Sequence, residues 1–92
     1  MTTPRERTRS LIWAGGFLIE VARDDRIPLE VRQRVVTIAR HFPTLQDVSN
    51  IAIIRDPTGL GVRLVAPSED DSWVAGCRFG PLHRGTRLAW PE

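Results

Sequence analysis

The run LIWAGGFLIEVA, residues 11–22, places helix-period apolar residues on both sides of two adjacent glycines. A glycine inside a helix costs about 1 kcal/mol relative to alanine, so a helix that keeps Gly15 and Gly16 needs a reason to do so. Either the helix kinks there, or another part of the chain approaches its backbone closely. No phosphate-loop spacing surrounds the pair, which favours close packing over ligand binding.

The flanking residues define the helix. Thr3 is a capping residue, Pro4 fits the first helical position, and Glu6 stands three residues after Thr3 as in a capping box. Leu11, Ala14, Leu18, Val21 and Ala22 then recur at spacings that predict one core-facing stripe. RDDRIP reads as a connection, and Pro28 opens a second helix with Val31, Val35, Ile38, Ala39 and Phe42 as its apolar stripe. Glu30 and Arg34 form an i,i+4 pair on the opposite side, and Pro43 ends the helix. So short a connection predicts an antiparallel helical hairpin. Thr44, with Asp47 three residues on, repeats the start signal and predicts a short third helix through about Asn50, with Ile51 to Ile54 suiting either a continuation of that helix or a strand.

After residue 50 the pattern changes. Asp56-Pro57-Thr58-Gly59 has the composition of a type I turn linking IAIIR to GVRLVA. PSEDD reads as the next turn, and SWVAGCRF follows with Trp73, Ala75, Cys77 and Phe79 on one face by the period of two. GPLHRG turns again into TRLAW. The expected architecture is therefore α+β in one domain, residues 1–92: a helical part over 1–50 packed on a small antiparallel meander over 51–92.

Composition narrows the function. Ninety-two residues leave no room for separate catalytic and substrate domains. One cysteine, Cys77, excludes an internal disulfide and a multi-thiolate zinc site, and it points to a reducing cytoplasm. Arg5, Arg7 and Arg9 before an apolar run outline a secretory signal, but Gly15-Gly16 breaks the run and Glu20 follows it with no small-residue cleavage site. The run is also shorter than the roughly 20 apolar residues of a membrane span. All 13 basic residues are arginine, yet the net charge is only +2. A dedicated nucleic-acid binder usually clusters its charge.

TTPRERTR, Phe17-Leu18, Arg23-Asp24, Pro28 with Val31-Arg32, and Arg40-His41-Phe42-Pro43 occur in this order. Over residues 2–43 this pattern resembles a small uncharacterised proteobacterial family. The resemblance implies a helical bacterial protein and carries over no catalytic residues.

The candidate site is CRFGPLHRGTRLAW, residues 77–90. Cys77 shares its expected face with Trp73 and Phe79, where a free thiol packs as a small hydrophobe in place of acting as a nucleophile. His41 and His83 lack the spaced partners of a metal site, so neither metal nor cofactor is expected. Arg78, His83, Arg84, Arg87 and Trp90 combine residue types that dominate binding hot spots, presented on a turn, with Glu69, Asp70 and Asp71 as a nearby acidic group. A helix-turn-helix over residues 31–52 is weaker, because Pro43 interrupts it.

These features point to a non-enzymatic cytoplasmic protein that binds a larger bacterial protein or ribonucleoprotein complex, with RNA contact or a homodimer as further possibilities and no membrane partner. An anti-CRISPR-like phage inhibitor of host defence fits that size and charge. The alternative is an RNA-binding protein or ribonuclease-like toxin using His83 as acid or base beside Arg84 and Arg87.

Overall fold

Both capping boxes form. The computed structural model describes residues 2–54 and 63–92, and its first helix, α1 (Pro4–Arg23), begins where Thr3 Oγ1 accepts the Glu6 N–H at 3.1 Å while Glu6 Oε1 accepts the Thr3 N–H at 3.0 Å. After Asp24 the chain turns. Asp24 accepts the Arg26 backbone N–H and both arms of the Arg26 guanidinium, at 2.8–3.0 Å.

The second helix, α2 (Leu29–Ala39), starts after Pro28 and makes with α1 the most extensive helix–helix contact among the described residues. The third, α3 (Leu45–Ile53), opens on the Thr44–Asp47 box and continues as helix, not strand, through Ile51, Ala52 and Ile53. A 3-10 turn at Pro67–Glu69 leads into the short helix α4 (Asp71–Ala75).

Gly15 and Gly16 sit within the unbroken α1 and are both buried. A methyl on Gly15 would lie 2.9 Å from Leu82 Cβ, and one on Gly16 would lie 2.6 Å from Cys77 Sγ. Close approach, from the C-terminal half of the chain, is therefore what the glycines permit. The buried face of α1 is Thr8, Ile12, Gly15, Gly16 and Ile19, one position round the helix from the expected Leu11, Ala14 and Leu18 stripe. On α2 the buried residues are Val36 and Ala39, whereas Val31 and Ile38 are exposed.

Trp73, Cys77 and Ile12 form the core cluster, with Leu45 and Val65 against it. Ile19, Val36 and Val48 are fully buried, and each such side chain stabilises by roughly 1.5–3 kcal/mol. Thr8 is buried too, with its hydroxyl donating to the Val65 carbonyl at 3.1 Å and accepting the Val65 N–H at 2.9 Å. Both backbone polar groups of Val65 are thereby satisfied by a side chain.

The α+β expectation is corrected: among the described residues there is no strand and no sheet. SWVAGCRF is mostly α4 and the turn after it. Asp70 caps this helix by accepting the Ser72 N–H at 3.0 Å, and Trp73 and Cys77 face the core as an i,i+4 pair while Ala75 and Phe79 are exposed. Residues 63–66 and 86–91 are non-helical but pair with no neighbouring strand. The Asp56–Gly59 turn expectation lies outside the described residues. No helix among the described residues is long and apolar enough to cross a membrane.

Candidate functional site: an arginine-walled cleft under the C-terminal tail

The segment after α4 is positioned by the helices it crosses. Gly80, at φ +80°, supplies the left-handed conformation that lets the chain reverse ahead of Pro81. Leu82 then meets Gly15, and its carbonyl accepts the Leu45 N–H at 2.7 Å, satisfying one of the open donors at the α3 N-terminus. Residues 83–86 close a turn: the Thr86 N–H donates to the His83 carbonyl at 2.9 Å, and the His83 N–H donates to Thr86 Oγ1 at 3.1 Å. The Arg84 N–H donates to Gln46 Oε1 at 3.0 Å, tying this turn to α3. Further on, Gln33 Nε2 of α2 donates to the Pro91 carbonyl at 3.1 Å, and Pro91 is buried.

Between this tail and the end of α2 lies a cleft of about 420 Å³. Val36, Ala39 and Leu82 give it an apolar floor, and Arg40, His83, Arg84 and Arg87 surround it, with no carboxylate among the described residues that line it. Asp47 approaches from outside, 3.7 Å from Arg84, in a pair exposed enough to contribute little. The Asp47 carboxyl is held below its ordinary range chiefly by the Thr44 backbone and hydroxyl, with Arg84 a smaller influence. Arg87 Nη1 donates to the Arg84 and Thr86 carbonyls at 3.2 and 3.4 Å, which fixes where its guanidinium stands.

A second depression, of about 360 Å³, adjoins the first across Arg87 and Leu88. Arg23, Arg32 and Trp90 line it, again with no carboxylate. The Arg40 guanidinium lies 5.3 Å from the centre of the Trp90 ring, a cation–π contact that leaves the indole 44% exposed.

Three of the five residues singled out from sequence, His83, Arg84 and Arg87, thus share one cleft, and Trp90 borders its neighbour. Arg78 stands apart, sharing the Phe79 ring with Arg23 at 5.2 and 5.1 Å. The sequence reading missed Arg40, Arg32 and Arg23. All three come from α1 and α2 or their ends, and only the folding of the tail across those helices brings them beside Arg87. The acidic group does not face this cleft: Glu69 and Asp70 lie 3.7 and 3.6 Å from Arg5.

His83 Nδ1 accepts the Gly85 N–H at 3.1 Å. The neutral ring therefore carries its proton on Nε2, where it serves as a donor. Cys77 is buried away from this histidine, with its Sγ against the Ile12 and Trp73 carbonyls at 3.8 and 3.7 Å. Burial, and less strongly the charge of Glu20, push its thiol pKa up. Among the described residues no three His, Cys, Asp or Glu side chains are grouped to hold a metal. The cleft offers forked cationic donors, hydroxyls and an apolar floor, a combination suited to gripping an anionic group.

No family model, curated protein or solved structure matches the chain. The anti-CRISPR-like phage inhibitor expectation is corrected on the same ground: it rested on size and mixed charge alone, and no matching family, protein or structure supports it.

Proposed function

We propose that this chain is a non-enzymatic cytoplasmic binding protein that docks onto an anionic surface of a larger bacterial macromolecule through the cleft under its C-terminal tail. The observation that carries this reading is the convergence of Arg40, Arg84 and Arg87 with His83 on one cleft that has no carboxylate among its described lining residues. Guanidiniums placed in this way recognise carboxylate or phosphate bidentately, and their fixed fork loses less entropy on binding than a lysine would. The engaged Nδ1 of His83 favours a donor role over that of a general base.

The test is affinity capture from a bacterial lysate with the wild-type chain and with Arg84→Ala/Arg87→Ala, after circular dichroism has shown equal folding. A stoichiometric partner held by the wild type and lost by the variant supports the reading. The same partners on both chains remove the cleft from consideration.

A further inference from the structure

The two depressions flank one stretch of chain, the tail from His83 to Pro91. Arg84 and Arg87 lie along it, Arg40 and Arg32 come from α2 on either side, and Arg23 comes from the end of α1. Arg87 belongs to both depressions, so the cationic surface is continuous from His83 to Trp90. Such a track follows a chain of charges better than it surrounds a single one.

Trp90 adds what a purely electrostatic site lacks. Arg40 occupies one position over the ring at 5.3 Å, and the ring remains 44% exposed. An aromatic backed by a cation and bordered by arginines is a stacking platform, since every base presents a π-face while the guanidiniums hold the phosphates. An acidic peptide matches the arginines but brings a planar group only where it also carries an aromatic residue, whereas a nucleic acid brings a base with every phosphate. Two depressions of about 420 and 360 Å³ are also of ligand size.

Resting on the anion-docking reading above, we infer that the partner is a single-stranded nucleic acid whose phosphates run along Arg40, Arg84, Arg87, Arg32 and Arg23 and whose base stacks on Trp90. The modest overall charge of +2 does not oppose this, because the relevant charge is local. Glu30, beside Trp90 and Arg34 in a third depression, and Asp47, beside Arg84, mark the edges of the track.

The experiment is fluorescence anisotropy with labelled oligouridylate and oligodeoxyuridylate of about a dozen nucleotides, within the range one small single-strand site covers, between about 50 and 200 mM salt. Neutralising three to five phosphates gives a slope of log affinity against log salt of about −2 to −3.5. Arg84→Ala/Arg87→Ala is expected to flatten that slope by about 1.4. Trp90→Ala is expected to weaken binding about 5- to 100-fold, and Trp90→Phe to retain most of it. The two oligonucleotides are expected to bind alike, because phosphate and base-face contacts do not read the 2′-hydroxyl.

Polyglutamate is titrated in parallel. If it binds with the same arginine dependence while neither oligonucleotide binds, the nucleic-acid inference is overturned and anion docking stands. If no polyanion binds, both readings fall. Oligonucleotide binding that ignores the arginine pair or Trp90→Ala, or a preference above tenfold for either sugar, also overturns the inference.

Discussion

Gly16 and Cys77 meet with no room for a methyl group between them: a Cβ on Gly16 would lie 2.6 Å from Cys77 Sγ and 2.9 Å from Cys77 Cβ. Alanine there returns about 1 kcal/mol of helix propensity. It also overfills a packed core, which typically costs about 1–3 kcal/mol, and Cys77 is a buried member of the Ile12–Trp73 cluster. We expect Gly16→Ala to lower stability by up to about 2 kcal/mol net, measured by urea unfolding. Adding Cys77→Ala removes Sγ but leaves Cβ, so the two changes are expected to couple and to lose less together than their sum. A more stable Gly16→Ala chain contradicts the contact.

That contact also shows which parts of the fold were legible. Thr3–Glu6 and Thr44–Asp47 are local signals whose hydrogen bonds need no distant partner, so two helix starts followed from them, whereas α2 stops at Ala39, short of the Pro43 expected to end it. The face of α1 did not. Leu11, Ala14 and Leu18 are the bulkier periodic choice, but the face that the second half of the chain meets is the one its glycines leave open. Counted as contact positions, Gly15 and Gly16 fall into register with Thr8, Ile12 and Ile19. In SWVAGCRF, Trp73 and Cys77 satisfy both a period of two and an i,i+4 helical spacing, and the Asp70 cap decides between them. At the site, His83, Arg84 and Arg87 are close in sequence and were visible together. Arg40, Arg32 and Arg23 join them only through the path of the tail over α2, which no local pattern encodes.

Acid should destabilise the chain over a defined window. The Arg26 side chain, then its backbone N–H, lowers the Asp24 pKa from 3.8 to about 2. Glu6 and Asp47 are lowered by Thr3 and Thr44 in their capping boxes, and Asp70 by Ser72. A carboxylate whose folded pKa lies below its unfolded one contributes stability that is present above the unfolded value and is lost as pH falls through the folded one. The thermal midpoint is therefore expected to hold above about pH 5 and to fall progressively from about pH 4 toward pH 2. Asp24→Asn should remove part of that slope. A midpoint unchanged down to pH 2 contradicts these interactions.

Cys77 should behave as an inert thiol in the folded chain. Its side chain is 9% exposed, and burial raises its pKa, so thiolate is scarce and reagents reach it poorly. Alkylation by iodoacetamide at neutral pH is expected to be slow natively and to accelerate to the rate of a free peptide thiol in denaturant, followed by mass spectrometry. Fast modification of the folded chain places the sulfur outside the core.

His83 separates binding from cleavage. Its Nδ1 is engaged by the Gly85 N–H at 3.1 Å, and the described residues lining the cleft include no carboxylate to work as a second acid or base. Acid–base cleavage of a phosphodiester needs a proton acceptor and a proton donor poised together. The wild-type chain is therefore expected to leave a labelled oligoribonucleotide intact during prolonged incubation, assayed by denaturing electrophoresis. His83→Ala also removes the ring that holds the Gly85 N–H, so the 83–86 turn should loosen and anion affinity should fall by less than tenfold, about the effect of one hydrogen bond of roughly 1 kcal/mol. Strand cleavage by the wild type that His83→Ala abolishes would overturn this assignment and make the cleft a catalytic one.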